Sequence, residues 1–226
     1  MKIAVLGSGF AGRTLAAGLA DLGHDVTIGT RDVTATRQKN EPDRMGNAGY
    51  AVWAQDFPHI GLASFADAAA GAGLFVNATA GNGSIAALTA AGAANLGGRV
   101  LLDVSNPLEF SQGFPPNLFV KDDDSLGEQI QRAFPDARVV KALNTMIGDV
   151  MTTPKSVADG NHSVFLSGDD SEAKRVISEL LAAFGWADVI DLGGIQTARA
   201  TEMMVKIRLL VMTSLGTPIF NFSIAR

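Results

Sequence analysis

Three closely spaced glycines near the start of the chain form its clearest candidate for ligand chemistry. Gly7, Gly9 and Gly12 follow a short apolar run in the pattern G-x-G-x-x-G. In such a loop the first glycine permits a tight turn, the second lets backbone amides approach a pyrophosphate, and the third lets helix and strand pack closely. Amides at the helix N-terminus then bind the anion. The pattern predicts a dinucleotide-binding loop formed by Gly7, Ser8, Gly9, Phe10, Ala11 and Gly12.

The end of the second predicted strand favours NADP over NAD. Dinucleotide-binding proteins of this architecture place an acidic residue there, which binds the ribose hydroxyls of NAD. This chain instead has Thr30 and Arg31, a hydroxyl and a guanidinium that suit the oxygens of a 2′-phosphate. Asp32 could be the expected acid displaced along the chain, so NAD stays open as the alternative.

Apolar runs of strand length alternate with helical patterns and predict β-α units around a parallel sheet. We expect strands at 2–7, 25–30, 61–65, 74–79, 99–105 and 138–143. Helices are expected at about 10–22, within 32–40, and at 66–71, 84–95 and 125–134. The fold class predicted is a Rossmann-type doubly wound α/β sheet with helices on both faces.

The pattern changes after residue 150. Residues 1–150 are expected to form the dinucleotide-binding domain, and residues 151–226 a small C-terminal α/β extension that completes the substrate site. In this extension we expect strands at 163–168 and 187–193 and helices at 169–184 and 195–214. The charges of the last helix are expected on its solvated face; they are Glu202, Lys206 and Arg208. The alternative is that this helix and its charges complete the site of an imine or β-hydroxyacid reductase.

Two segments are long enough to be irregular and functional, namely 41–60 and 106–122. Both combine aromatic residues with Pro and Gly. They are either ordered surface loops anchored by aromatic side chains or walls for a flat aromatic substrate, and the sequence leaves both open.

Small and polar residues follow the predicted strands, where ligands bind in sheets of this type. We expect Thr79 and Ala80 to contact the nicotinamide end of the dinucleotide, together with Asn106, whose alternative role is a turn before Pro107. After the sixth strand, Asn144, Thr145 and Met146 are expected to contact the second substrate.

Residues for acid–base catalysis are scarce. The chain has three histidines and one tyrosine, and no cysteine. None of the histidines follows a strand in the predicted core, and no spacing suggests a metal site. A second substrate that accepts hydride without a protein acid or base fits this pattern, as a flavin or deazaflavin ring does. No catalytic side chain and no metal are therefore predicted.

Charge and hydropathy limit the partners. The net charge of −5 disfavours nucleic acid, and no apolar run approaches the roughly 20 residues needed to span a bilayer. The start of the chain does not resemble a signal peptide. We expect a cytoplasmic protein whose partners are small-molecule cofactors.

Several motifs resemble the NADPH-dependent F420 reductase (F420H2:NADP oxidoreductase) family, in particular its actinobacterial branch. They are "VLGSGFAG", "IGTRD", "NATAG", "DVSNPL" and "VVKALNTM". The last is also similar to the oxidoreductase domain of the Steap metalloreductases. The resemblance implies a homodimer that transfers a hydride between NADPH and C5 of the deazaflavin F420, with the 2′-phosphate on Thr30 and Arg31.

Two other functions remain open from the sequence. One is an NADP-dependent reductase of imines or β-hydroxyacids, which would act on small acceptors and not on flavins. The other is a non-catalytic sensor that binds NADP(H) and turns over no acceptor.

Overall fold

Runs of Val, Ile, Leu and Ala form the strands, and the central strands are buried along their whole length. The computed structural model describes residues 1–43 and 45–226. Its strands are β1 (Lys2–Leu6), β2 (Asp25–Thr30), β3 (Gly61–Ser64), β4 (Leu74–Asn77), β5 (Val100–Asp103), β6 (Leu108–Glu109), β7 (Asn117–Leu118), β8 (Arg138–Ala142), β9 (Ser163–Ser167) and β10 (Asp188–Asp191).

Helices connect most of these strands. They are α1 (Phe10–Asp21), α2 (Val33–Arg37), α3 (Tyr50–Asp56), α4 (Phe65–Ala69), α5 (Ser84–Ala91), α6 (Ala93–Leu96), α7 (Leu126–Ala133), α8 (Gly148–Thr152), α9 (Ser171–Phe184) and α10 (Ala198–Leu215). Single 3₁₀ turns lie at Gly81–Gly83, Pro154–Ser156, Ala158–Gly160 and Ile195–Thr197.

The main sheet has the strand order β10-β9-β8-β5-β4-β1-β2-β3. The strands from β8 to β3 in this order are parallel. β9 runs antiparallel to β8, and β10 is parallel to β9. The chain order reverses between β1 and β4, which is the position where sheets of this type bind ligands at the carboxyl ends of their strands. The predicted Rossmann-type fold is confirmed, with a sheet that is mixed because of its last two strands.

Each face of the sheet has its own hydrophobic core, because side chains alternate along each strand. Ile3 and Val5 of β1 pack in a cluster with α1 and α9. Ala4 and Leu6 point to the other face and pack in a cluster with α5 and α7. This double covering explains why the central strands read as continuous apolar runs.

Local structure differs from expectation in three places. The helix predicted at 84–95 is divided into α5 and α6 at Gly92, whose φ of 92° ends the first helix. The segment 41–60 contains α3, and the segment 106–122 contains the antiparallel pair β6 and β7. Periodicity misses such short elements because they contain too few residues to show a repeat.

The elements after residue 150 add to the same sheet. β9 pairs with β8, and α10 contacts both α7 and β9. The division of the chain at residue 150 stays a prediction. Within residues 1–43 and 45–226, no helix combines the length and apolar character needed to cross a membrane.

Candidate functional site

The glycine-rich loop joins β1 to α1, and two of its positions admit only glycine. Gly7 has a φ of 120°, and a Cβ on it would lie 2.5 Å from the carbonyl oxygen of Ala78. A Cβ on Gly12 would lie 2.0 Å from the carbonyl oxygen of Gly7. At Gly9, in contrast, a Cβ would meet nothing within 4 Å. The backbone at the start of α1 therefore faces open space, as the approach of a pyrophosphate requires.

The carboxyl end of β2 lies beside this loop, since the Gly7 amide donates to the Gly29 carbonyl at 2.9 Å. Thr30 is buried, and its hydroxyl is 2.9 Å from that of Thr36. Arg31 is exposed. The Asp32 carboxylate accepts a hydrogen bond from the Ala35 amide at 2.9 Å and caps α2. Asp32 thus has a structural role that accounts for an acid at this position.

A buried arginine that the sequence analysis missed lies next to the loop. Arg13 is 5% exposed, and its Nη1 donates to the Ala48 carbonyl at 2.6 Å. Burial lowers the pKa of Arg13, although Asp43 and Tyr50 oppose this effect. With Ser8 and Gly9 it lines a small cavity of about 40 Å³.

A polar network fixes the loop after β4. The buried amide of Asn77 donates to the Asp103 carboxylate at 2.8 Å and to the Ser84 hydroxyl at 3.1 Å. The Thr79 hydroxyl donates to the Asn77 carbonyl at 2.7 Å and is 2.9 Å from the Ser84 hydroxyl. The position of the Thr79 hydroxyl is therefore fixed by its contacts with Asn77 and Ser84.

Asn106 and Asn144 connect the loops after β5 and β8. Asn106 donates to the backbone carbonyl of Asn144 at 2.8 Å, and Asn144 donates to the side-chain carbonyl of Asn106 at 3.0 Å. Between β8 and Asn144, Leu143 is buried and has a φ of 61°, which is unusual for a leucine. Strain of this kind persists where the surrounding structure over-determines the backbone.

A buried ion triad of Lys141, Asp103 and Glu202 contacts the loop after β5 and the start of α7. Lys141 Nζ is 2.8 Å from Asp103 Oδ2 and 2.7 Å from Glu202 Oε1, and it donates to the Ser105 carbonyl at 2.7 Å. Burial alone would lower the pKa of Lys141, but Asp103 and Glu202 outweigh it and raise the pKa, so the ammonium stays charged. Glu202 also accepts from the Leu126 and Gly127 amides at the start of α7.

Two adjoining cavities lie at this edge of the sheet. The first, of about 250 Å³, is lined by Ala11, Thr79, Ala80 and Asn106 among others. The second, of about 640 Å³, shares Ala11 and Asn106 with it. Its walls are mainly apolar, aromatic and methionine side chains, including Phe10, Met45, Leu108, Phe110, Phe114, Met146, Ile147, Met151, Val205, Leu209 and Met212.

Among the described residues that line the larger cavity, the titratable ones are Asp43 and Arg208. Burial acts to raise the pKa of Asp43, but hydrogen bonds from Asn47 and from the Met45 amide outweigh it and lower the pKa. Asp43 is therefore a carboxylate at neutral pH and holds no proton to donate.

Of the two aromatic segments, 106–122 forms a wall of the larger cavity, and the rings of 41–60 anchor that segment to the core. Phe110 and Phe114 of segment 106–122 line the larger cavity, as a substrate wall would. In segment 41–60, Trp53 and Phe57 stack with centroids 4.9 Å apart and pack on the core cluster that contains Tyr50. These three rings anchor the segment, and residues without rings, such as Asn47, contribute its part of the cavity lining.

The structure brings most predicted site residues together. Asn144 and Met146 line the larger cavity, whereas Thr145 is buried and is absent from the linings of both described cavities. Thr30 and Arg31 lie away from these cavities, on the other side of the glycine-rich loop at the end of β2.

The expectation that α10 exposes its charges is wrong for two of them. Lys206 is exposed, but Glu202 is 1% and Arg208 6% exposed. Arg208 follows Val205 by three residues and Thr201 by seven, so helical periodicity places it on the buried face. That spacing was the signal available in the sequence.

His162 has a structural role. It is buried; its Nε2 is 2.8 Å from the Pro154 carbonyl, and its Nδ1 is 2.8 Å from the Asn221 amide nitrogen. Its ring meets that of Trp186 edge to face. His59 is exposed and His24 is partly exposed, and neither lines the two cavities.

Comparison with known proteins places the chain within one family. No protein-family model matches it. The crystal structure of a candidate F420-dependent NADP reductase from Arthrobacter sp. FB24 is 56% identical, with a TM-score of 0.96 and 100% of both chains covered. An imine reductase from Streptomyces aurantiacus, at 15% identity and a TM-score of 0.60 over 94% of this chain and 62% of that one, shares the fold alone.

Two curated relatives match at lower identity. The metalloreductase STEAP3 of Rattus norvegicus is 29% identical over 92% of this chain, and the F420-dependent NADP reductase of Methanocaldococcus jannaschii is 26% identical over 47% of it. The chain spans less than half the length of each, 37% and 48% respectively.

The fold and the glycine-rich loop define a dinucleotide-binding protein of the Rossmann class, and its relatives, which are NADP reductases, indicate an NADP-dependent oxidoreductase. The chain belongs to the F420-dependent NADP reductase family.

Proposed function

We propose that the protein transfers a hydride between NADP(H) and a deazaflavin, coenzyme F420, or a flavin. The observation that carries this proposal is the cavity of about 640 Å³ that adjoins the dinucleotide cleft. Its walls are apolar and aromatic, and the titratable residues in its described lining are an ionised carboxylate and an arginine. A flat ring that accepts hydride directly fits such a site, because the reaction needs orientation and exclusion of water more than a side-chain acid.

NADP(H) would lie across the carboxyl ends of the strands. The amides of Ser8, Gly9, Phe10 and Ala11 would bind the pyrophosphate at the start of α1. Thr30 and Arg31 would bind the 2′-phosphate, since Asp32 is engaged in the cap of α2. Thr79, Ala80 and Asn106 line the smaller cavity, where the nicotinamide would lie.

The second ring would occupy the larger cavity. Asn144 and Met146 contribute directly to its lining, and Thr145, which lies between them in the chain, is buried. The nicotinamide and the acceptor ring would meet near Asn106, which borders both cavities. We assign no catalytic side chain: NADPH supplies the hydride, and one proton from water completes the reduction of the ring.

The extension 151–226 would complete this substrate site. Val205, Arg208, Leu209 and Met212 of α10 line the larger cavity, so the last helix supplies one of its walls. Without that wall the acceptor ring would lie open to water on one side.

The homodimer is also part of the proposal. α10 exposes Met203, Ile207 and Leu210, and Ile207 and Leu210 are each 50% exposed. Their spacing places them along one stripe of the helix, opposite to the buried face. Light scattering should report a dimer for the wild type and a monomer for Ile207→Glu combined with Leu210→Glu.

The first experiment mixes the protein with NADPH and, separately, F420, FMN, FAD or riboflavin, and follows the absorbance of the nicotinamide. We expect oxidation of NADPH with at least one ring acceptor. Absence of turnover with all four, while a small imine or hydroxyacid pair reacts, would refute the proposed acceptor class.

The second experiment tests the choice of NADP. Arg31→Ala should raise the KM for NADPH about 10- to 100-fold, which corresponds to one lost charge-assisted hydrogen bond, and should leave the KM for NADH unchanged. Arg99→Ala is the matched control, because Arg99 is exposed just before the amino end of β5, whereas Arg31 follows the carboxyl end of the parallel strand β2. Equal use of NADH and NADPH by the wild type would contradict the role of Arg31.

A further inference from the structure

Arg208 is the one arginine in the described lining of the larger cavity. It lies on the inner face of α10, 6% exposed. One Nη donates to the Pro218 carbonyl at 3.2 Å, and the guanidinium carbon is 5.3 Å from the ring centroid of Phe220. The C-terminal segment therefore holds the guanidinium in place without neutralising it.

The guanidinium has no acidic partner within the described residues. None of the ion pairs formed by residues 1–43 and 45–226 includes Arg208. Its Nε is buried and has no hydrogen-bond acceptor. Burial lowers the pKa of Arg208, which is the effect expected of a cation that has lost water and gained no counter-ion.

A buried, unpaired charge is costly and is seldom retained without a partner. Lys141, another buried cation of this region, has two carboxylates within ion-pair distance, whereas Arg13 donates to the Ala48 carbonyl and has Asp43 close enough to raise its pKa. Asp43 also lines the larger cavity, but its oxygens accept from Asn47 and Met45 and make no ion pair with Arg208. Residues 1–43 and 45–226 thus supply no counter-ion to Arg208, and an anion bound in the cavity would supply one.

We propose that Arg208 recognises an oxyanion carried by the hydride acceptor. This inference deepens the proposed function, because it restricts the second substrate to compounds with a negative oxygen in reach of α10. The oxyanion has two possible sources that share this chemistry: a phosphate or carboxylate on the substituent of the ring, or an anionic oxygen on the edge of the ring itself. A planar guanidinium can bind either with two parallel hydrogen bonds.

The test uses calorimetric titration of FMN and riboflavin, which have the same ring and differ in a phosphate. Benzoate and benzamide form a second pair of probes that differ in charge and not in shape. The proteins are the wild type, Arg208→Gln and Arg208→Lys. The control is Lys206→Gln, which removes one positive charge from the exposed side of the same helix. Titration of NADPH into each variant verifies that the fold and the dinucleotide site are intact.

The wild type should bind benzoate and not benzamide. Arg208→Gln should weaken the binding of benzoate and FMN about 10- to 100-fold, the range for a lost hydrogen bond to a charged group. Arg208→Lys should weaken it less, and Lys206→Gln not at all. Weakened binding of FMN but not of riboflavin identifies the phosphate of the substituent as the source; equal weakening of both would contradict recognition of an oxyanion in flavins, because their shared ring is neutral, and would show that Arg208 contacts a carbonyl oxygen of the ring.

The proposal is wrong if benzoate and FMN bind Arg208→Gln as tightly as the wild type, or if the wild type binds benzoate no better than benzamide. The comparison of benzoate with benzamide uses the wild type, so it tests the proposal even if Arg208→Gln does not fold. Failure of the proposed function is a separate result: NADPH oxidation with FMN and F420 would be absent while the dependence of benzoate binding on Arg208 remained.

Discussion

Replacement of Glu202 by alanine is expected to lower the free energy of unfolding by about 3–5 kcal/mol, the usual cost of removing one partner from a buried ion pair. The two carboxylate oxygens accept from the amides of Leu126 at 2.8 Å and Gly127 at 3.0 Å, and Oε1 lies 2.7 Å from Lys141 Nζ. All three donors are buried, so water cannot replace the lost acceptor.

Glu202→Gln separates the charge from the hydrogen bonds. With its oxygen in the place of Oε1 the glutamine still accepts from Gly127 and Lys141, and its NH₂ group then faces the Leu126 amide. One buried donor loses its acceptor, at about 1–3 kcal/mol. Lys206→Ala on the exposed side of α10 should change stability by no more than about 0.5 kcal/mol.

Urea unfolding followed by tryptophan fluorescence measures these differences, because Trp186 is 4% exposed and reports the loss of the core. For a chain of this length the alanine variant should also melt about 6–20 °C lower. A loss below about 1 kcal/mol with an unchanged denaturant slope would show that the carboxylate is not needed, and would refute the account of the triad.

Three further predictions concern the loop, the pH dependence and the site. Gly9→Ala should leave the melting temperature unchanged but weaken NADPH binding in fluorescence titrations, whereas Gly12→Ala should destabilise the fold, since its Cβ would lie 2.0 Å from a carbonyl oxygen. Arg199 lowers the pKa of Glu128, and Arg132 lowers that of Asp124 to about 2. Because the pKa of each carboxyl group is lower in the folded chain, the unfolded chain binds more protons in acid, and stability should fall as the pH drops from about 5 towards 2. Glu128→Gln should make the stability measured by urea unfolding depend less on pH. Asn106→Ala removes both hydrogen bonds to Asn144 and should cost about 1–3 kcal/mol of unfolding free energy.

The strands and the glycine-rich loop could be predicted from the sequence because both depend on local patterns. β1 and β4 are mainly apolar runs that are buried by the chain around them, and the roles of Gly7 and Gly12 follow from spacing alone. The polar residues at the strand ends were also predictable, because parallel strands bring their carboxyl ends to one edge.

Periodicity was enough to place Arg208 on the buried face of α10, but the partners of the buried charges could not be predicted in this way. Glu202 is buried because its acceptor oxygens meet amides 75 and 76 positions earlier in the chain. Arg208 is buried in part because the C-terminal segment folds back over it through Pro218 and Phe220. These partners lie far away in the chain, so the periodic pattern of α10 does not identify them.

The capping of α7 by α10 has a consequence for biosynthesis. During translation the N-terminal half of the sheet can form first, but Lys141 and the start of α7 lack their carboxylate until Glu202 has left the ribosome. The loop that carries Ser105 is fixed through Lys141, and it too waits for the end of the chain. A nascent chain that stops before α10 would therefore leave Lys141 with Asp103 as the one carboxylate of the triad and the start of α7 without its acceptor, and the last helix completes the folding of a region made some sixty residues earlier.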